Sequence, residues 1–460
     1  MNVSIKPYIE QHSTIHLIGI GGVSMNSLAE LLLSLGARVT GSDRSETEVT
    51  ERLEDLGARI TYAHLPENVE GANLIVRTAA VHDDNPEIVR ARELGIPVME
   101  RAEAWGCIML DYQNAICLAG THGKTTTTSM MTMVAIQAAL DPTVMVGSQL
   151  PAIGGTLRIG AKDCFIAESC EYCNSFLSFH PSVAVILNVE ADHLDFFKDI
   201  DDIVHSFHQF CLLTPETGAV VVNADDPHAM HAVRGVDRRI ITFGSDAHAD
   251  VYPMNIVSRH GYYCFDAMVG GKCYAQIELS VPGRHNMMNA LAVCAVSWFL
   301  GLPGEHVTIG LGLFTGSSRR FQLTGHLSCG ATVVDDYAHH PSEMRATLSA
   351  ARQMDFKRII CAFQPHTYTR TKALFDEFVE ALRLCDHAVL APIYAAREQN
   401  TIGISSADLA ARIEGARSFA SFPEIADYLA AEARQGDLIL TMGAGNIDAV
   451  GRMLLDRDAG

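Results

Sequence analysis

Positive charge is scarce in this chain. Lys and Arg total 34 against 54 Asp and Glu, a formal net charge of −20 over 460 residues. Nucleic acid or an anionic membrane face requires a basic surface, so neither is an expected partner. A phosphorylated small substrate needs only a local basic pocket and is compatible with this balance. Long apolar runs are also missing. Ala290 to Leu300, the longest of the later chain, is too short to cross a bilayer. The polar opening Met1 to Gln11 has no signal-peptide core. A cytoplasmic protein without membrane insertion is expected. There is no low-complexity tract and no short-period repeat. The twelve cysteines are scattered through apolar segments, as at Cys107, Cys117, Cys294 and Cys361, and read as reduced core residues. An apolar content of 48% with 19% charged residues suits a globular protein, and 460 residues exceed one core, so about three domains are expected.

What the chain does have is concentrated at residues 116–128, Ile-Cys-Leu-Ala-Gly-Thr-His-Gly-Lys-Thr-Thr-Thr-Thr. An apolar run ends in Gly120, then come Thr121, His122, Gly123, Lys124, Thr125 and Thr126, with an apolar helical pattern from Met130. A buried strand feeding a tight turn into a helix N-terminus is a phosphate cradle. Lys124 is placed to reach β/γ-phosphates and Thr125 to hold Mg²⁺. The loop is shorter than the usual Gly-x-x-x-x-Gly-Lys-Ser/Thr form, whose first glycine falls at Leu118.

Three α/β segments alternate along the chain. The first opens with a strand at Thr14 to Ile18, glycines at 19, 21 and 22, a helix from Ser24 to Leu35 and a strand ending at Ser42-Asp43. Ser24 stands where a dinucleotide fingerprint has its third glycine, and Asp43 lies at about the distance of a ribose-binding acid. NAD and another nucleotide diphosphate both fit that pattern. The second segment predicts strands at Cys164–Ala167, Val183–Leu187, Ala219–Val222 and Arg239–Phe243, an antiparallel accessory sheet over 250–281, and a helix from Asn289 to Leu300. The third predicts strands at Thr332–Val334, Arg358–Cys361, Ala388–Leu390 and Leu438–Thr441, with helices at Pro341–Gln353 and Thr371–Leu384.

Chemistry collects at strand ends. Glu168 closes an apolar strand, where a Mg²⁺-binding carboxylate belongs beside a phosphate loop, with Glu171 nearby. Cys170 and Cys173 read as packing residues. His193, in Asn-Val-Glu-Ala-Asp-His-Leu-Asp (188–195), suits a second metal ligand, or a surface loop histidine. His285 and Asn286 open the long helix and suit a base or ribose contact, or a helix cap. Arg319-Arg320 offers charge for a transferring phosphoryl group, or a solvated linker. Asp335-Asp336-Tyr337-Ala338-His339-His340 and Gln364-Pro365-His366 through Arg370 follow two more strands and suit recognition of a small carboxylate.

Together these motifs resemble the Mur ligase family from Gly19 to Asn446, including Pro-Gly-Arg-His-Asn (282–286), Arg-Arg-Phe (319–321) and Gly-Ala-Gly-Asn-Ile (443–447). The resemblance is nearest to members that join L-alanine to UDP-N-acetylmuramate. It implies an ATP-dependent acid–amino-acid ligase of peptidoglycan synthesis working through an acyl phosphate. A ligase recycling a stem peptide onto UDP-N-acetylmuramate is the alternative. It implies a Rossmann-like UDP-sugar domain at 1–108, a central P-loop ATP-binding domain with an accessory antiparallel sheet at 109–315, and a Rossmann-like amino-acid-binding domain at 316–460.

Further implications concern single residues. Lys124 and Thr125 bind phosphate and metal, and Glu168 and His193 hold Mg²⁺, with two ions expected. His285, Asn286, Asn289, Arg320 and Asp336 contact ATP. Asp336, His340, His366 and Arg370 lie near the acyl phosphate and the amino acid. Gly21, Ser42, Asp43, Thr78, Ala79, Ala80 and Val81 line the UDP site. A monomer or homodimer is expected. The chain departs from its relatives at Glu-Ser-Cys-Glu-Tyr-Cys (168–173), where more acid is usual, and at Thr367, where some have Arg. It has no lysine from 199 to 271, where several relatives carry a carbamylated one, and His208 stands in that neighbourhood.

Overall fold

Strands form where the apolar runs were read, and their carboxyl ends carry the polar motifs. The computed structural model describes residues 4–396 and 398–459. They divide into two compact units, Met1–Tyr252 with Leu291–Gly310, and Pro253–Ala290 with Leu311–Gly460.

The first unit holds two parallel arrays. Strands β1 (Thr14–Ile18), β2 (Arg38–Ser42), β3 (Arg59–Thr61), β4 (Leu74–Arg77) and β5 (Val98–Glu100) lie in the order β3-β2-β1-β4-β5, all parallel. The chain reverses its winding at β1, which places the glycine turn and the tips of β2 and β4 at one switch point. The second array contains β6 (Asn114–Ala119), β7 (Thr143–Leu150), β8 (Gly155–Arg158), β9 (Cys164–Glu168), β10 (Val183–Ile186), β11 (Ala219–Asn223) and β12 (Arg239–Phe243). Its order is β12-β11-β10-β6-β9-β7-β8, with only β8 antiparallel to its neighbour. The β7–β8 hairpin was not expected. Its pairing is irregular, with a register shift between Met145 and Leu150, which hides the turn from a local reading.

Trp105 locks the helix Arg101–Met109 to this array. It is fully buried, meets Phe165 of β9 edge-on at 5.9 Å between ring centroids, and donates its indole N–H to the Ser24 carbonyl at 3.3 Å. Trp105→Ala should destabilise the protein by about 3–5 kcal/mol, read as a lowered denaturation midpoint. An unchanged midpoint would deny it this role.

The helix after β6 spans Lys124–Gln137, so its N-terminus lies at the phosphate loop as expected, six residues before the apolar pattern that begins at Met130. Thr127, Ser129 and Thr132 return their hydroxyls to the carbonyls of Gly123, Thr125 and Thr128, so a threonine-rich first half stays helical and buried.

In the second unit a hairpin pairs β14 (Tyr262–Val269) with β15 (Lys272–Pro282) around Gly270 and Gly271; β13 (Val251–Arg259) precedes it. This is the expected antiparallel accessory element. A sheet of β16 (Gln322–His326), β17 (Thr332–Asp336), β18 (Arg358–Phe363), β19 (His387–Leu390), β20 (Arg417–Ser418) and β21 (Asp437–Met442) runs in the order β16-β17-β21-β18-β19-β20, parallel except for β16. The helix expected from Asn289 starts at Arg284 and ends at Phe299. The helix expected over 371–384 is two, Tyr368–Ala373 and Phe375–Leu382, broken at Leu374.

All twelve cysteines are free. Cys117, Cys294 and Cys361 are buried as expected, but Cys273 and Cys329 are exposed and belong to no core. Cys170 and Cys173 are half-buried thiols. Among the described residues no helix is long and apolar enough to cross a membrane.

Candidate active site

The phosphate loop sits at the tip of β6, between β10 and β9. Gly120 has φ 146°, and a Cβ there would come within 2.9 Å of the Leu187 Cβ. Gly123, at φ 83°, caps the helix. Both conformations favour glycine. The loop is clamped by the β10 tip. Asn188 accepts the His122 N–H at 2.7 Å and donates to the His122 carbonyl at 3.0 Å. Thr121 Oγ1 accepts the Glu190 N–H at 2.8 Å. Asn188 was read as part of a motif, not as a site residue. Its signal is its place directly beyond an apolar strand.

Lys124 folds back over this loop. Its ammonium donates to the Gly120 and Thr121 carbonyls and pairs with Glu171 at 3.0 Å. Burial alone would lower its pKa, but Glu171, with Cys170 and Glu168 adding to it, holds it above the ordinary lysine value. Glu171 is 2% exposed, so the sequence reading understated it.

Thr125 donates its hydroxyl to Glu168 Oε1 at 2.8 Å, and the Gly147 N–H donates to Oε2 at 2.6 Å. Two adjacent oxygen ligands of an octahedral Mg²⁺ at ~2.1 Å are about 3 Å apart, so this pair matches one edge of such a shell. The donor set is hard oxygen, as Mg²⁺ prefers. Thr126 occupies the same first helical turn. His193 follows β10, on the other side of β6 from Glu168. It has φ 54°, and its ring packs on Tyr172 with centroids 4.6 Å apart. His208 lies in the helix Ile200–Leu212 with Nδ1 2.8 Å from the Ala232 carbonyl oxygen.

At the glycine turn after β1, Asp43 accepts the Gly21 N–H at 2.8 Å. The Ser42 carbonyl accepts from Gly19 and Ile20 at 2.8 and 3.1 Å. The Ser42 side chain is fully buried and donates to Glu87 at 2.8 Å. Thr78, Ala79, Ala80 and Val81 form the turn beyond β4, closed by the Val81 N–H to the Thr78 carbonyl at 3.0 Å.

In the second unit, Asp336 ends β17 at 6% exposure. It accepts the Phe321 and Ala338 N–H groups at 2.9 and 2.7 Å. Burial pushes its pKa up to about 6, against the pull of Arg320. The guanidinium groups of Arg319 and Arg320 lie 5.1 and 5.2 Å from the Tyr337 ring centroid. Arg319 also bonds Asp335 at 2.9 Å and the carbonyls of Gly443 and Gly445 at 2.8 and 2.9 Å. His340 caps the helix Pro341–Arg352 together with Glu343. Arg370 Nη1 lies 3.2 Å from His366 Nδ1, and the His366 ring stacks on Tyr394. His285, Asn286 and Asn289 fall in the first turns of the helix Arg284–Phe299. Asn286 donates to the Pro282 carbonyl at 2.7 Å and accepts from Asn289 at 3.2 Å, so it lies inside the helix and does not cap it.

Three family models cover this chain: the Mur ligase family catalytic domain at residues 14–113, the Mur ligase middle domain at 118–297, and the Mur ligase glutamate ligase domain at 319–445. The chain belongs to the Mur ligase family. This Mur ligase is 46% identical to a UDP-N-acetylmuramate–L-alanine ligase of Caldanaerobacter subterraneus subsp. tengcongensis, over 98% of its own length and 99% of that relative. It is 47% identical to the protein of the same name from Agathobacter rectalis, over 96% and 98% of the two chains. The crystal structure of a UDP-N-acetylmuramate–alanine ligase from Thermotoga maritima matches it with a TM-score of 0.82 at 29% identity, over 97% and 99% of the chains. A murein peptide ligase from Psychrobacter arcticus shares the fold, with a TM-score of 0.73 at 24% identity over 97% and 99%. The α/β architecture of three Mur ligase domains is therefore the fold of this chain.

Proposed function

We propose that this Mur ligase joins the amine of L-alanine to the lactyl carboxylate of UDP-N-acetylmuramate, converting ATP to ADP and phosphate, as a step of peptidoglycan synthesis in the cytoplasm. The observation that carries the ATP-dependent part is the phosphate loop, with Lys124 over it and the Thr125–Glu168 oxygen pair beside it. The choice of acid and amine is supported by the near-full-length likeness to L-alanine ligases. Twelve cysteines with no disulfide among them suit a reducing compartment. The functional modules are residues 1–108 for the UDP-sugar, 109–315 for ATP and 316–460 for the amino acid.

The reaction asks for two transfers. The γ-phosphoryl group passes to a carboxylate oxygen of the sugar-linked acid, and ADP leaves. The alanine amine then attacks the acyl carbon, phosphate leaves and the nitrogen gives up a proton. Lys124 and the N-terminus of its helix hold the β/γ-phosphates. Thr125 and Glu168 would hold Mg²⁺, and His193 a second ion; when bound, such an ion would supply positive charge beside the transferring group. Arg320 adds a cation to that group, while His285, Asn286, Asn289 and Asp336 serve the nucleotide. His340, His366 and Arg370 orient the amino acid.

Phosphate release with ATP and UDP-N-acetylmuramate, varying the amine, tests the assignment. L-Alanine should support turnover and a stem tripeptide should not. Turnover with the tripeptide alone would replace the assignment by the recycling reaction. Turnover independent of UDP-N-acetylmuramate would refute both.

A further inference from the structure

Glu87 has no place in the chemistry described so far, yet it is the most heavily bonded buried carboxylate of the first array. It lies at the start of the helix Pro86–Glu93 and is 0% exposed. Its Oε1 accepts from Asn68 at 2.8 Å and lies 3.2 Å from His16 Nε2. Its Oε2 accepts the Ser42 hydroxyl at 2.8 Å and lies 2.8 Å from His64 Nδ1. The group is linked onward. His16 Nδ1 lies 2.9 Å from Thr40 Oγ1, and Asn68 also donates to the Ala63 carbonyl at 2.8 Å. Burial alone would raise the Glu87 pKa, but the hydrogen bonds from His16, Asn68 and Ser42 hold it below the ordinary carboxylate value. A buried charge so fully satisfied fixes the conformation of whatever donates to it.

One donor is Ser42, whose carbonyl receives both the Gly19 and the Ile20 N–H. Its neighbour Asp43 receives the Gly21 N–H. The glycine turn is thus hung on the β2 tip, and the β2 tip is hung on Glu87. We propose that Glu87, with His64, Asn68 and His16, is a positioning group that sets the glycine turn for the diphosphate of the sugar nucleotide. It acts through Ser42 and touches no substrate. The inference rests on the reading of this lobe as the UDP-sugar site.

Steady-state kinetics of Glu87→Gln test it. The KM for UDP-N-acetylmuramate should rise about tenfold, while kcat and the KM values for ATP and L-alanine change less than about twofold. Ser42→Ala should raise the same KM, and Glu87→Gln added to it should contribute less than about twofold more, because both act on one linkage. An unaltered KM, effects that multiply, or a loss shared by all three substrates would overturn the proposal. If Glu87→Gln does not fold, His64→Ala, which removes the Nδ1 contact to Glu87 Oε2 at a half-buried residue, carries the same expectations. Calorimetric titration of the wild type with UDP-N-acetylmuramate separates the levels. No binding, or binding untouched by Asp43→Asn and Ser42→Ala, removes the site itself and the proposal with it. Binding weakened by those changes but not by Glu87→Gln or His64→Ala removes the network alone.

Discussion

Lys124→Ala should reduce phosphate release about a thousandfold, ~4 kcal/mol of barrier, while UDP-N-acetylmuramate still binds. The size follows from position. The ammonium is the cation bonded to the Gly120 and Thr121 carbonyls within the cradle, so its loss removes charge stabilisation from the group being transferred. The variant has a second effect that must be separated from the first. Glu171, 2% exposed, loses the partner it holds at 3.0 Å. An uncompensated buried charge costs about 3–5 kcal/mol, so the single variant should also melt earlier. Lys124→Ala combined with Glu171→Gln removes that charge. The pair should regain most of the lost melting temperature and none of the lost turnover. Recovery of both would make Lys124 a structural residue, and full activity of the single variant would end the assignment of this loop.

The second large effect is expected from Glu168→Gln. The substitution keeps the shape, and the new amide oxygen can still accept the Gly147 N–H now at 2.6 Å, so the fold should hold. The negative charge beside Thr125 is lost. Turnover should fall about a hundredfold at fixed Mg²⁺, and the Mg²⁺ concentration for half-maximal rate should rise at least about tenfold. Saturating metal should restore part of the rate. A magnesium dependence identical to wild type, whatever the turnover, would remove Glu168 from the metal site. These two variants fail in different ways: added metal helps the second and leaves the first unchanged.

The residues that carry these predictions were readable in the sequence because each stands at the end of an apolar run. Lys124 follows β6 and Glu168 ends β9. A parallel array brings such ends to one edge whatever the strand order. The partners were harder to see. Gly147 lies in a hairpin whose irregular pairing leaves no two-residue period to read. Ser42 was expected to face the UDP-sugar, but its side chain points to Glu87, a residue 45 positions away in a helix whose composition shows nothing unusual. The helix expected from Asn289 starts five residues earlier for a local reason: Arg284, His285 and Asn286 are polar and add nothing to the apolar period. The acid-tipped strands β9 and β10, successive in the chain, lie on either side of β6, with their carboxyl ends at the one sheet edge expected. Chain order and sheet order differ in a doubly wound array, and no spacing in the sequence reveals that.

One amide has a mechanical consequence. Asn188 makes two bonds to His122 and stands five residues before His193, at the tip of the same strand. The phosphate cradle is therefore stiff before any nucleotide arrives, and its ordering entropy is already spent when binding begins. The same two bonds join the cradle to the segment that leads from the tip of β10 to His193.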